Sequence, residues 1–162
     1  MKTKNLALSL IILLSSSTMF AQKVDVNTEA STIEWLGKKI GGQHNGNIQI
    51  KSGNLELKDQ TIVSGDFVID MTTITNIDLE DEKTNQNLVG HLKSDDFFGV
   101  AKYPTANFTI TKSTPFKNGK ATITGEITIK DNTETIAFEV VKSGKAYRSK
   151  IEIDRSKFNV RY

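Results

Sequence analysis

The sequence predicts an all-β domain in which an antiparallel sheet closes on itself as a barrel, with one short α-helix in the middle of the chain. Apolar and polar residues alternate along most of the chain after residue 22, short turn sequences separate the alternating segments, and no long covering helix is indicated. A sheet that closes on itself removes the exposed edges that such a domain would otherwise carry.

The alternation predicts eight strands. It is clearest over residues 121–129 and resumes at 136–140 after an Asp131-Asn132 turn, so residues 120–142 form a predicted hairpin. Ser52-Gly53-Asn54 is predicted to be another turn between two strands. The remaining predicted strands cover residues 32–36, 46–51, 55–58, 62–71, 106–111 and 147–153.

One segment has the periodicity of a helix. Asn85, Leu88, Val89 and Leu92 recur at helical spacing, and the acidic run 78–82 that precedes them suits a helix N-terminus. We therefore expect one helix over residues 82–93, followed by a cap and a short turn from Ser94.

The length and the N-terminal segment of the chain indicate one exported domain. The chain has 162 residues and no cysteine, which excludes disulfides and thiolate metal sites. Residues 1–21 read as a signal peptide, with Lys2 and Lys4 before the apolar stretch 6–14 and a cleavage point near Ala21/Gln22. Residues 22–162 are then the mature domain, which is periplasmic or secreted.

The mature domain carries no net charge. The signal peptide removes two of the 21 lysines and arginines, which leaves 19 basic residues against 19 acidic ones. Nothing in this overall balance favours nucleic acid or an anionic membrane surface as a partner.

Catalytic and metal-binding motifs are not found. The two histidines, His44 and His91, lie 47 positions apart, and no serine lies in a nucleophile motif, so the sequence predicts neither a catalytic residue nor a metal site. The glycine-rich stretch 37–46 is not a phosphate-binding loop, although Lys38 and Lys39 could meet an anionic or carbonyl head group. The inner face of the barrel is filled by side chains or by an apolar ligand, and alternation alone leaves both open while favouring the filled core.

Several blocks along the chain resemble one known family. They include Ser31-Thr32-Ile33-Glu34-Trp35, His44-Asn45-Gly46, His91-Leu92-Lys93-Ser94-Asp95-Asp96-Phe97-Phe98, Tyr103-Pro104 and Ile153-Asp154-Arg155. Together they span almost the whole mature chain, and the sequence is similar to the YceI-like family. Family members continue with another strand, whereas this sequence stops at Tyr162, so the resemblance implies a C-terminal truncation and an unpaired sheet edge.

The resemblance implies an extended, lipocalin-like barrel in the periplasm that holds an amphiphile, an isoprenoid lipid or isoprenoid quinone, non-covalently in an apolar tunnel. The helix with Leu88 and Leu92 would plug one end, and the polar head would meet Lys38, Lys39, His44 or His91. A transient contact with a membrane or membrane protein would load the ligand, and a dimer is compatible with it. The expected tunnel wall consists of Trp35, Ile48, Ile50, Phe67, Ile69, Leu88, Leu92, Phe108, Ile110, Ile123, Ile127, Phe138 and Val140.

Two other functions stay open at this point. The first is an enzyme of the same fold that modifies a lipid or quinone with His44 or His91 and a nearby acid or lysine. The second is an envelope stress protein with a filled core and a partner-binding surface.

Overall fold

A computed structural model describes residues 21–160 of the protein, so residues 1–20 of the predicted signal peptide lie outside the described residues. The described chain has eight strands, one α-helix and two 3-10 turns, at Met71–Thr73 and Arg155–Phe158. The helix α1 spans Glu82–Lys93. The strands are β1 (Gln22–Asp25), β2 (Ile33–Lys39), β3 (Gly42–Lys58), β4 (Thr61–Asp70), β5 (Thr105–Ser113), β6 (Lys120–Ile129), β7 (Asn132–Ser143) and β8 (Ala146–Ser149).

The strands form one antiparallel sheet in up-and-down order. Strands β3 to β7 each pair with the next one along the chain, while β1 and β2 both pair with β3, at residues 54–57 and 42–48 respectively. Strands β1 and β2 thus act as one edge strand interrupted by residues 26–32. Within residues 21–160, no strand pair joins β8 to this edge, and the sheet is a curled half-barrel. The predicted fold class, a lipocalin-like antiparallel β structure with one mid-chain helix, is confirmed.

Strand β3 corrects the predicted strand boundaries. Residues 46–51 and 55–58 belong to one strand of 17 residues, and the predicted turn at Ser52-Gly53-Asn54 is wrong because these residues pair with β4. A register shift between Ile50 and Ser52 inserts an extra residue, Lys51, which moves the inward positions from even to odd numbers. This bulge explains why period-2 alternation breaks there and mimics a strand end.

Three smaller differences concern the termini and one turn. Strand β1 was not predicted, because its four residues are all exposed and show no alternating burial. The strand predicted over 147–153 ends at Ser149, and residues 150–154 make no ladder. In the β6–β7 turn a positive φ of 56° occurs at Lys130, the residue before the predicted Asp131-Asn132 turn.

Helix α1 forms where the sequence predicts it. The Asp81 carboxylate caps its start by accepting the Thr84 backbone N–H at 2.8 Å, and Leu92 is its buried residue. After the helix, the Lys130 ammonium donates to the carbonyl oxygens of Phe97 at 3.0 Å and Asn159 at 3.3 Å. Lys130 therefore connects the β6–β7 turn to the segment after α1 and to the C-terminal 3-10 turn.

Candidate ligand-binding site

The concave face of the sheet is built from two neighbouring rows of residues. Side chains directly opposite each other in adjacent strands point to the same face, so each row crosses the sheet from β3 to β7. The first row consists of Leu55, Gly65, Ile110, Gly125 and Ile136, and the second of Gly53, Phe67, Phe108, Ile127 and Glu134.

Aromatic rings bridge the strands of this face. The ring centroid of Phe108 lies 6.3 Å from that of Phe67 on β4 and 5.5 Å from that of Phe138 on β7. Phe108 reaches across β6 because Gly125 has no side chain: a Cβ at this position would lie 2.5 Å from Phe108 Cζ and 2.5 Å from the Thr109 carbonyl oxygen. Gly125 therefore makes room for a continuous aromatic surface across four strands.

Burial is uneven over this face. Ile123 is fully buried and Ile62 is 2% exposed, both toward the end that holds the β3–β4 and β5–β6 connections. Phe67, Ile69 and Phe138 are only partly buried, although they pack against the same core. The concave surface therefore leaves apolar area in contact with solvent, which is the condition for taking up an apolar ligand.

The structure gathers most of the residues predicted to line the tunnel. Twelve of the thirteen belong to the core cluster or pack against it, and the helix residues Leu88 and Leu92 are among them. The thirteenth, Ile50, is half-buried and pairs with Ile69 just before the bulge.

Sequence reasoning missed part of this cluster. Phe97 lies in a turn, and Phe158 and Val160 follow the last strand, so no periodicity marks them. Leu55 and Ile62 fall in alternating segments and could have been found from that signal. The cluster also contains Met71, Ile74, Val100 and Ala106.

Aromatic and cationic groups close the end of the sheet where α1 lies. The Phe97 ring is 9% exposed and contacts the rings of His91 and Phe98 edge-on, at centroid distances of 5.3 and 4.8 Å. The guanidinium of Arg155 lies over the same ring, 5.4 Å from its centroid. His91 is thus placed at the helix end of the apolar cluster, beside Leu92.

His44 and Asp78 form a hydrogen-bonded pair at the rim, with Nδ1 and Oδ2 2.8 Å apart. The Asp78 Oδ1 atom accepts the Asn45 backbone N–H at 2.9 Å and the Asn76 side-chain amide at 2.5 Å. Hydrogen bonding from the Asn45 N–H, and then from His44, lowers the pKa of Asp78 from 3.8 to about 2. Asp78 is therefore a carboxylate at neutral pH, and it orients the imidazole.

A second contact holds the segment after β4 against β3. The Trp35 indole N–H donates to the Thr75 carbonyl oxygen at 2.9 Å, and the Thr75 N–H donates to the Asn47 carbonyl at 2.9 Å. The Thr75 carbonyl lies directly over Gly46, where a Cβ would approach it to 1.8 Å. The indole and the imidazole of His44 are consequently anchored to the same segment, residues 75–78.

The predicted head-group residues divide between two places. Lys38, Lys39 and His44 lie on the β2–β3 hairpin, where Gly37 pairs with His44 and Lys38 with Gln43. Both lysines are exposed, whereas His91 is on α1. The alternation of the hairpin strands therefore places Lys39 and His44 on the same side as the inward-facing Trp35, whereas Lys38 lies on the opposite side.

Within residues 21–160, no group of three or more His, Cys, Asp or Glu residues is arranged to hold a metal ion. None of the described helices has the length and apolar character needed to cross a membrane.

The YceI-like domain model matches residues 24–162. The chain belongs to the YceI-like family. Similar solved structures include BcnA of Burkholderia cenocepacia, with a TM-score of 0.68 and 23% identity over 83% of this YceI-like chain and 84% of BcnA. A mutant Campylobacter jejuni YceI protein with a monobromobimane guest has a TM-score of 0.53 and 19% identity, over 99% of this chain and 77% of that one. At these identities the structural likeness shows the fold alone. The comparison with curated proteins found no match to the chain.

Proposed function

We propose that this YceI-like protein is an exported binding protein that holds an amphiphilic isoprenoid lipid or isoprenoid quinone on the concave face of its sheet. The observation that carries the proposal is the partly exposed apolar surface around Phe67, Phe108 and Phe138. A flexible prenyl chain buried there gains about 25 cal/mol per Å² of apolar surface removed from water, less the cost of ordering the chain.

The polar rim suits the head of such a molecule. His44 and Lys39 occupy alternating positions on the same side of the hairpin as Gly46 and Trp35, so they continue the concave face toward solvent. An imidazole and an ammonium group can hydrogen-bond to a phosphate or a quinone carbonyl. The apolar chain would then lie along the aromatic surface while the head stays at the hairpin.

Export is part of the proposal. The basic residues, the apolar stretch and the cleavage point within residues 1–21 support transport out of the cytoplasm. Intact-mass analysis of the protein recovered from the cell envelope should give the mass of a chain beginning at Gln22. An unprocessed chain confined to the cytosol would contradict export without bearing on ligand binding.

Ligand binding is tested by native mass spectrometry of protein purified from its own envelope, followed by organic extraction. We expect a released prenyl lipid or quinone in the wild type and its loss in Phe138→Asp. Ala137→Asp is the matched control, because Ala137 is the exposed neighbour on the opposite face of β7. An empty wild-type protein that also rejects added prenyl chains would contradict the proposal and favour a filled core.

A second candidate is an enzyme of the same fold that modifies a lipid or quinone, and the His44–Asp78 pair favours it. A carboxylate that orients an imidazole is a common arrangement for general acid–base chemistry. Mass analysis of the bound molecule before and after prolonged incubation distinguishes the two functions. A bound molecule of unchanged mass supports the binding protein. A modified product that forms with the wild type but not with His44→Ala supports the enzyme.

A further inference from the structure

We infer that the β2–β3 hairpin is the surface by which the protein docks on an anionic lipid bilayer. The inference rests on the proposed function, because it makes the bilayer the place where the amphiphile is taken up or delivered.

The three most exposed large apolar side chains of the described chain lie on this hairpin or on the segment after β4 that hydrogen-bonds to it. Ile40, Ile77 and Leu36 are 104%, 58% and 51% exposed, whereas the five other exposed large hydrophobics are only 39–40% exposed. Leu36 pairs with Asn45 across the hairpin, and the Ile77 N–H donates to the Asn45 carbonyl at 3.0 Å. Single exposed apolar residues are ordinary, but a group of them marks an interaction surface.

The hairpin projects beyond the rest of the sheet. Strand β4 pairs with β3 only from Gln49 onward, so residues 37–44 form a two-stranded ribbon that ends in the Ile40-Gly41 turn. Gly41 has φ +82°, and a Cβ there would meet nothing within 4 Å. The tip can therefore insert into a bilayer interface without displacing a packed neighbour.

The charges next to the tip identify the partner. Lys38 and Lys39 are exposed and immediately precede Ile40. An apolar residue that enters the interface, together with ammonium groups at the level of the head groups, is the combination that binds anionic bilayers. Nucleic acid would attract the two lysines but would leave Ile40 in water.

The docking surface and the ligand face meet on the same two strands. Trp35 packs against the core on the concave side, and Ile48 is buried two residues beyond Gly46. A lipid leaving the bilayer at the tip would therefore move along one side of the hairpin onto the apolar face. The hairpin offers a short path between membrane and binding site.

Site-specific fluorescence tests the docking. The chain has no cysteine, so Ile40→Cys and Val141→Cys in protein isolated from the cell envelope each accept one NBD label. Val141 is 40% exposed on β7 and serves as the matched control. With vesicles of equal phosphatidylglycerol and phosphatidylcholine, we expect a blue shift and a rise in NBD emission at position 40 only. No change at position 40, or equal changes at both positions, would overturn the inference.

Charge removal tests the electrostatic part by vesicle co-sedimentation in 50 mM salt. Lys38→Ala/Lys39→Ala should weaken binding about 25-fold, from roughly fivefold per lysine near an anionic surface. Ile40→Asp should weaken it at least about tenfold, because an apolar side chain leaves the interface. The matched control is Lys117→Ala/Lys145→Ala, which removes two exposed lysines from other turns. A loss in this control equal to that of the hairpin double variant would contradict a specific docking surface.

Loading experiments separate this inference from the proposed function. Prenyl lipid added from ethanol should saturate wild type and Ile40→Asp equally, whereas loading from vesicles should be at least about tenfold slower in Ile40→Asp. Equal loading rates from vesicles would refute docking and leave ligand binding intact. A wild type that takes up lipid from neither source would refute the proposed function itself.

Discussion

Replacing Gly46 with alanine should destabilise the fold by breaking the contact between Trp35 and the segment after β4. The new Cβ would lie 1.8 Å from the Thr75 carbonyl oxygen and 2.8 Å from Trp35 Nε1, where ordinary contact begins at 3.4 Å. Thr75 must therefore retreat by more than an ångström. Its retreat breaks the Trp35–Thr75 bond and the backbone bond from Thr75 to Asn47, both 2.9 Å long.

The expected loss of stability follows from these bonds. Each contributes a net ~1 kcal/mol, and a polar group left without a partner costs about 1–3 kcal/mol. Gly46→Ala should thus lower the free energy of unfolding by about 2–4 kcal/mol. Gly90→Ala is the control: nothing lies within 4 Å of its Cβ position in α1, and replacing an interior helix glycine by alanine adds about 0.8–1 kcal/mol.

Urea denaturation followed by fluorescence measures both variants. Trp35 is the only tryptophan, so its emission reports the broken contact directly and should shift to longer wavelength in native Gly46→Ala. A Gly46→Ala protein as stable as the wild type, with unchanged emission, would refute the close approach of Thr75 to Gly46.

Three further predictions concern other parts of the molecule. Gly125→Ala should displace the Phe108 ring, lower the melting temperature and reduce prenyl-lipid binding, as measured by near-UV circular dichroism and ligand retention; an unchanged aromatic signal would contradict it. Phe158→Ala should cost about 3–5 kcal/mol because the ring is 1% exposed, and a loss below 1 kcal/mol in urea would refute its role in the core. The folded-state pKa of Asp78 is about 2, against the usual 3.8, so the stability that its carboxylate contributes is present above about pH 4 and is lost as the pH falls toward about 2. Asp78→Asn should therefore make the melting temperature less dependent on pH between about 4 and 2. A melting temperature that depends on pH as steeply as in the wild type would show that the Asp78 carboxylate does not contribute.

Sequence periodicity predicts the fold well where strands are regular. The β6–β7 hairpin and helix α1 match their predicted positions because each has one consistent period and a clear turn or cap. The bulge at Lys51 defeats the same reasoning, since one inserted residue reverses the alternation within a continuous strand. Strand β1 has no internal signal at all, and it forms because the edge of β3 is available for pairing.

The sequence predicts only part of the candidate site. Inward residues such as Phe108 and Ile127 follow from alternation, but the pairing of His44 with Asp78 does not, because 34 positions separate them. The same holds for Gly46, whose importance depends on a carbonyl contributed by Thr75. Long-range contacts of this kind depend on how the segment after β4 returns along β3.

The length of β3 has a consequence for local unfolding. Residues 54–57 are held by β1 on one side and β4 on the other, whereas residues 42–44 pair only with the hairpin strand β2. Amide protons near Gly42 should therefore exchange with solvent deuterium through local opening, and that of Leu55 only when the whole sheet unfolds. One unbroken strand would thus belong to two cooperative units, so the hairpin can unfold or reorient at a surface while the rest of the sheet stays intact.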